Sequence, residues 1–133
     1  MKTFAALVFC VVAAALSAAE SSALKLTKTI PLPGVKGRFD HFVIDTKGRR
    51  LFVAALGNNT LEVLDLAAGK RIKTITGLHK PTGVPYLTTP NQIGVANGDD
   101  GTFKLFDGTS YALTKTIGSL DDAATCALTQ RRN

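Results

Sequence analysis

The sequence predicts an all-β fold built from repeated four-stranded antiparallel units, and two observations support this. Residues 50–75 align without a gap on residues 92–117, an offset of 42 residues, and clusters of Gly, Asn and Asp interrupt both copies at short intervals. Seven of the 26 aligned positions are identical: Val53/Val95, Ala54/Ala96, Thr60/Thr102, Asp65/Asp107, Lys73/Lys115, Thr74/Thr116 and Ile75/Ile117. Periods of about 40–45 residues with several short strands per unit are typical of β-propeller blades.

The first complete blade is predicted at residues 39–76. Its strands are expected at 39–45, 51–56, 61–66 and 71–76, where β-branched and apolar residues are concentrated. Clusters of turn-forming residues separate these strands at 46–48, 57–59 and 67–69. Gly and Asn accept the positive φ angles that tight turns require, so each interruption has its own backbone reason.

The second blade, residues 82–117, copies this plan, with strands expected at 82–88, 93–97, 103–107 and 111–117. Residues 24–31 contain the same Lys-Thr-Ile as each blade and predict the outer strand of another blade. Residues 121–129 align with the start of the second blade and predict the beginning of a third.

The chain is thus expected to hold about two and a half blades of an incomplete ring, whereas closed propellers have about 4 to 8. Either the chain is a truncated fragment or other chains supply the missing blades. Truncation is favoured, because residues 130–133 abandon the repeat pattern. Neighbouring units stabilise one another in such arrays, so we expect the chain alone to be poorly folded or to self-associate through its exposed blade faces.

Residues 1–19 predict a secretory signal peptide. Lys2 precedes an apolar run at 4–16, and the small residues that follow predict cleavage after Ala19. The apolar run is shorter than the ~20 residues that span a bilayer. We therefore expect a periplasmic or secreted protein, residues 20–133, without a membrane span. It would keep one cysteine, Cys126, and so no internal disulfide.

The net charge of +6 is spread over short basic pairs beside predicted turns, such as Arg49-Arg50 and Lys70-Arg71. This pattern is typical of solvated strand edges. A nucleic-acid surface would interleave basic residues with stacking aromatics. Here the aromatic residues lie in apolar strand contexts and are expected in the core, so nucleic-acid binding is the weaker hypothesis.

No catalytic, metal or cofactor motif is recognised. Asp40 and His41 are adjacent, but neighbouring residues of a strand face opposite sides, so they are not expected to act as one unit. The histidine and cysteine spacing matches no zinc site, and the acidic turn at 98–101 lacks the ligand pattern of a calcium loop. Propellers generally bind ligands in the central channel and on one rim. The residues expected there are Arg38, Asp40, His41, Lys80 and Thr82.

From residue 24 to about residue 129 the chain resembles the YVTN-type β-propeller repeat family of exported proteins. The resemblance rests on segments 50–54, 59–65, 93–98 and 100–102. The family motif on the second strand is aromatic-Val-x-Asn. The first blade keeps Phe52-Val53 but has Ala55 in the Asn place, and the second blade keeps Val95 and Asn97 but has Gly94 in the aromatic place.

The resemblance implies an exported propeller that acts as a binding or scaffolding module for an unidentified ligand or protein partner. The family has no shared catalytic residues, so the sequence favours a binding module over an enzyme. The alternative is a lactonase-like or quinoprotein-like propeller enzyme, whose site would lie mostly in blades outside this chain.

Overall fold

The computed structural model describes residues 24–118, which form two four-stranded antiparallel sheets. In both sheets the strands lie side by side in chain order. Sheet 1 contains β1 (Phe42–Asp45), β2 (Arg50–Ala55), β3 (Thr60–Asp65) and β4 (Lys70–Ile75). Sheet 2 contains β5 (Tyr86–Leu87), β6 (Gln92–Ala96), β7 (Phe103–Asp107) and β8 (Leu113–Ile117). The predicted all-β class is confirmed, and the described residues form no closed ring.

All eight strands predicted within the two repeat units are present, but three are shorter than expected. β1 begins at Phe42 instead of residue 39, β5 is reduced to Tyr86–Leu87, and β8 begins at Leu113 instead of residue 111. Pro85 lies directly before β5 and has no N–H to donate to a ladder. The predicted signal peptide (1–19) and the predicted third-blade strand (121–129) lie outside the described residues.

The outer strand predicted at residues 24–31 is not formed. Residues 24–30 carry no strand, and the contact of this segment with sheet 1 comes from a side chain, as Lys28 Nζ donates to the Ala67 carbonyl (3.3 Å). A strand exists only through backbone bonds to a neighbouring strand. The Lys-Thr-Ile sequence therefore forms a strand in the two repeats, where a partner strand lies beside it. At residues 28–30 it does not form a strand.

The repeat is reproduced in the backbone conformation. Three left-handed positions of sheet 1 recur 42 residues later, all with φ between 53° and 66°: Arg49/Asn91, Asn59/Gly101 and Gly69/Tyr111. The pairing of the third and fourth strands also shifts register at equivalent places, between Val63/Leu64 and between Leu105/Phe106. The two sheets are thus copies in turn geometry as well as in strand order.

Two identical carboxylates close equivalent turns in the two sheets. Asp65 Oδ1 accepts from the N–H groups of Ala67 and Ala68, both at 2.8 Å. Asp107 Oδ1 accepts from those of Thr109 (3.0 Å) and Ser110 (2.7 Å). These backbone hydrogen bonds lower the pKa of both carboxyls. The two equivalent Asp residues therefore stabilise equivalent turns.

The hydrophobic core lies between the sheets. The face of sheet 1 that meets sheet 2, its contact face, contributes Phe52, Ala54, Leu61, Val63 and Ile75. The contact face of sheet 2 contributes Ile93, Val95 and Phe106, together with Val84 and Leu78 from the connection between the sheets. Placing every aromatic residue in the core was wrong for Phe39 and Phe42, which are 46% and 66% exposed. Phe42 lies on the opposite face of sheet 1 from Phe52.

The aromatic position of the second strand differs between the sheets. Phe52 packs on Tyr86 across the interface, with ring centroids 5.2 Å apart. At the equivalent Gly94, an added Cβ would lie 2.5 Å from Phe103 Cζ and 2.8 Å from Pro85 Cγ. The ring of Phe103 therefore lies over Gly94, in space that a side chain at position 94 would need.

Arg50 connects the sheets by hydrogen bonds at one edge of the interface. Within sheet 1, its Nε and Nη2 donate to Asp45 Oδ2 at 3.0 and 2.8 Å. Towards sheet 2, Nη2 donates to the Tyr86 hydroxyl (3.3 Å), and Nη1 donates to the Tyr111 hydroxyl (3.1 Å) and to the Gly108 carbonyl. We call these five residues the Arg50 cluster.

The Arg50 cluster is largely removed from water. The side chains of Arg50 and Asp45 are 16% and 4% exposed, and the guanidinium carbon lies 5.2–5.9 Å from the ring centroids of Phe52, Tyr86 and Tyr111. Burial by itself would raise the pKa of Asp45. The hydrogen bonds from Gly48 N and Arg50, with the Arg50 charge, outweigh burial and lower that pKa.

Replacing Arg50 should destabilise the junction between the sheets. Arg50→Ala leaves the Asp45 carboxylate buried and unpaired, and breaking such a pair costs about 3 kcal/mol in unfolding free energy. Arg50→Gln introduces the residue that sheet 2 has at the equivalent position 92 and should lose nearly as much, because it has no charge to offer Asp45. Urea unfolding measures both. Lys47→Ala, in the exposed β1–β2 turn, is the control, and equal stability of all three variants would contradict a structural role for the cluster.

Stability should fall in acid through Asp45. Its pKa is lowered from the ordinary 3.8 on folding, so its stabilising contribution is complete above that value and is lost as the pH drops through the folded pKa. We expect the free energy of unfolding to decrease from pH 6 to pH 3. Asp45→Asn should be less stable at pH 6 and should show a smaller decrease, because position 45 no longer titrates. An unchanged decrease in Asp45→Asn would assign the acid effect to other groups.

Candidate binding rim

The predicted ligand residues lie at the edge of the sheets opposite the Arg50 cluster. Arg38, Asp40 and His41 precede β1, and Lys80 and Thr82 precede β5. The β2–β3 and β6–β7 turns lie at the same edge, because the second strand of each sheet ends there and the third strand begins there. We call this edge the rim.

Asp40 brings three of the predicted residues together. Its carboxylate lies 3.7 Å from Arg38 Nη2 and 3.2 Å from His41 Nδ1. The expectation that the side chains of Asp40 and His41 face opposite sides is wrong. It assumed a regular strand, whereas both residues precede β1 in irregular backbone. A carboxylate beside Nδ1 favours the imidazole tautomer in which Nε2 accepts a hydrogen bond, and the His41 side chain is 61% exposed.

Lys80 belongs to a second polar group on the rim. Its Nζ lies 2.8 Å from Asp99 Oδ1, and the neighbouring His79 Nε2 lies 3.9 Å from Asp100 Oδ2. Lys80 has a positive φ of 47°, a conformation that Gly adopts readily and other residues rarely. The hydrogen bond from Lys80 N to Asn59 Oδ1 (2.8 Å) supports this backbone conformation.

Thr82 does not join either group. Its hydroxyl donates to the Ala96 carbonyl at 3.3 Å, and its N–H donates to the same carbonyl at 2.9 Å. The side chain is half-buried. Thr82 therefore supports the approach of the chain to β6 and is a poor candidate for ligand contact.

The turn Leu56–Asn58, with Asn59 after it, lies between the two polar groups. The N–H of Gly57 donates to the Arg38 carbonyl at 2.9 Å, and Asn59 accepts from Lys80 N as described. A Cβ on Gly57 would lie 2.6 Å from Arg38 N, so only Gly permits this approach. One turn thus holds the Arg38–Asp40–His41 group and Lys80 on the same rim.

Asn97 supports the rim from inside and was recognised in the sequence only as a family motif residue. It is fully buried; its Oδ1 accepts from His79 N (3.1 Å) and its Nδ2 donates to Thr102 Oγ1 (2.9 Å). The equivalent residue of sheet 1 is Ala55, also buried, which has no polar atoms in its side chain. The motif asparagine thus holds the segment that carries His79 and Lys80.

Positive and negative side chains are mixed on the rim. Its charged residues are Lys36, Arg38, Lys80, Asp40, Asp99 and Asp100. Burial would raise the pKa of Asp100, but hydrogen bonds from the Thr102 side chain and backbone outweigh it and lower the pKa. The net positive charge of the chain is therefore not concentrated at the rim, which suits a partner that carries both signs.

Residues 24–118 contain no group of three or more His, Cys, Asp or Glu side chains arranged to hold a metal ion. In the same range no helix is long and apolar enough to cross a membrane. Comparison with protein-family models and with curated proteins gives no match for this chain. Membership of the YVTN-type family therefore stays a prediction.

Asn97→Ala should destabilise the rim without a steric penalty, because the fold accepts Ala at the equivalent position 55. The variant leaves the His79 N–H without its acceptor, which costs about 1–3 kcal/mol, and removes the hydrogen bond that Thr102 Oγ1 accepts, while the Thr102 hydroxyl still donates to Asp100. Urea unfolding should show this loss, and amide hydrogen exchange should show faster exchange at His79. Asn91→Ala, in a turn at the opposite edge, is the comparison for exchange at the rim. Unchanged exchange at His79 in Asn97→Ala would contradict this role.

Proposed function

We propose that the chain is a non-catalytic binding module of an exported β-propeller, in which sheets 1 and 2 are neighbouring blades. The equal strand order, the 42-residue repeat and the equivalent left-handed turn residues support the blade interpretation. So does the core, which lies between two faces of successive sheets, as it does between blades. Export rests on residues 1–19, interpreted as a signal peptide that directs the protein to the periplasm or the medium.

The rim carries the proposal for binding. Arg38, His41 and Lys80 have side chains 60–71% exposed, yet the backbone on which they stand is bonded to buried or conformationally restricted residues. Because this backbone is already hydrogen-bonded in place, a partner that binds here has to order the side chains but not the backbone. The mixture of charges favours a polar ligand or a protein segment that carries both signs over a nucleic acid, whose backbone carries one sign only.

The experiment is capture of partners from the envelope and medium of source cells by the immobilised full chain. Arg38→Ser combined with Lys80→Ser should reduce capture of a partner at least about tenfold, since each charge-assisted hydrogen bond contributes about 1.5–3 kcal/mol. Lys47→Ser removes a positive charge from the opposite edge and should leave capture unchanged. Equal capture by both variants would contradict binding at the rim.

A second function is favoured by one observation, the 3.2 Å contact between His41 Nδ1 and Asp40 Oδ1. A carboxylate that orients an exposed imidazole is a common arrangement for general base catalysis. In this alternative the chain is part of a lactonase-like or quinoprotein-like enzyme, and further blades complete the site. Turnover of a lactone or alcohol substrate that is lost in His41→Ala would favour the enzyme. Capture at the rim without such turnover favours the binding module.

A further inference from the structure

Each sheet also has an outer face, directed away from the other sheet. On sheet 1 this outer face carries Phe42, Ile44, Leu51 and Val53, and Phe42 and Ile44 are 66% and 49% exposed. The same face carries Glu62, which is fully buried and accepts hydrogen bonds from the side chains of Thr60, Arg71 and Thr74. On sheet 2 it carries Leu87, Gly94, Phe103, Leu105 and Ile117, where the four larger side chains are half-buried. Within residues 24–118 no further sheet covers either face.

The repeat relates each outer face to the contact face of the other sheet. Shifting the sheet 1 outer face by 42 residues converts Phe42, Ile44, Leu51 and Val53 into Val84, Tyr86, Ile93 and Val95 of the sheet 2 contact face. The same shift converts the sheet 1 contact face, Phe52, Ala54, Leu61, Val63 and Ile75, into Gly94, Ala96, Phe103, Leu105 and Ile117 of the sheet 2 outer face. The two outer faces are therefore related to each other as the two contact faces are.

We propose that the outer face of sheet 2 docks on the outer face of sheet 1 of a second copy of this chain and repeats the packing found between the sheets. The contact uses two different surfaces, so it is head-to-tail and forms a closed ring where the rotation between copies allows. With two sheets in each chain, about two to four copies would give the about 4 to 8 sheets of a closed propeller. This association is independent of what the rim binds.

The segments that lead into the two sheets have equivalent conformations. Gly34 and Gly77 both have positive φ (80° and 73°), as do Gly37 and Lys80 (79° and 47°), so the two leading segments are equivalent. Each is bonded by a side chain of the sheet that it leads into: Arg71 Nη2 donates to the Pro33 carbonyl (3.1 Å), and Lys104 Nζ donates to the Gly77 carbonyl.

The apolar residues that follow Gly34 and Gly77 differ in burial, because within residues 24–118 no second sheet covers the outer face of sheet 1. Leu78, after Gly77, is only 3% exposed in the core between the sheets. Val35, after Gly34, remains half-exposed. A second copy on the outer face of sheet 1 would bury Val35 as sheets 1 and 2 bury Leu78.

The contact between copies would lack the Arg50 cluster. Gln92 and Leu87 replace Arg50 and Asp45 on the outer face of sheet 2, and Ile44 and Gly69 replace Tyr86 and Tyr111 in sheet 1. The docked surfaces are therefore mainly apolar, and the Glu62–Arg71 ion pair of the sheet 1 outer face is formed within sheet 1 itself. Association should depend little on salt concentration, since burial of apolar area and not charge drives it. A second copy is the favoured occupant because this equivalence of faces, residue by residue, is a property of this sequence.

The test is analytical ultracentrifugation of the full chain and of two variants, Ile44→Asp on the outer face of sheet 1 and Leu105→Asp on that of sheet 2. The unmodified chain should form oligomers that dissociate on dilution and are little affected by salt. Each variant alone should associate at least about tenfold more weakly, because a charge must be buried in the contact. An equimolar mixture of the variants should form a one-to-one dimer, since each retains the face that the other lacks.

Circular dichroism checks that the variants fold, and Phe42→Asp with Leu87→Asp is the second pair if one does not. Lys47→Asp, outside both faces, should associate like the unmodified chain. A chain that is monomeric at all concentrations would overturn the proposal. This is the result expected if residues 119–133 or another partner, and not a second copy, cover the faces. Variants that stay monomeric when mixed would also overturn it, because a symmetric contact gives no complementation. Neither result affects capture at the rim.

Discussion

The guanidinium of Arg50 is hydrogen-bonded to both sheets, and the alignment of the sheets depends on it. Apolar packing between two sheet faces stabilises contact but prefers no particular direction. The bonds to Asp45 in sheet 1 and to Tyr86, Gly108 and Tyr111 in sheet 2 are directional. Their energy is greatest where the site is dry, so a small sliding of one sheet over the other would break several bonds together.

The opposite edge is organised by neutral amides, and this difference leaves the charged groups of the rim accessible. The side-chain amides of Asn59 and Asn97 accept the backbone N–H groups of Lys80 and His79, so neutral groups hold the connection between the sheets at this edge. At the Arg50 edge, the charges of Arg50 and Asp45 pair with each other and are largely buried. At the rim, Arg38, His41 and Lys80 face solvent beside their acidic neighbours and can exchange those contacts for contacts with a partner.

The sequence predicted the class, the strand count of each unit and most strand limits to within one residue, because turns such as Asp65–Gly69 and alternation along β2 are local properties. Contacts between distant residues were not predictable in this way. Arg50 contacts residues 36 to 61 positions away, among them both tyrosines of the chain, Tyr86 and Tyr111. The candidate rim residues were found from their place at the starts of inner strands and in the loops before them. Their pairing was missed because the strand was assumed to begin at residue 39, which wrongly separated Asp40 from His41.

The exchange of ring positions between Phe52 in sheet 1 and Phe103 in sheet 2 makes the two repeats complementary and not interchangeable. Sheet 1 has a ring at position 52 and Leu at 61, whereas sheet 2 has Gly at the equivalent position 94 and a ring at 103. A Cβ at position 94 would lie 2.5 Å from Phe103 Cζ, so a ring at both positions would require Phe103 to move. Exchanging β6 for β2 alone would therefore put two rings in one place.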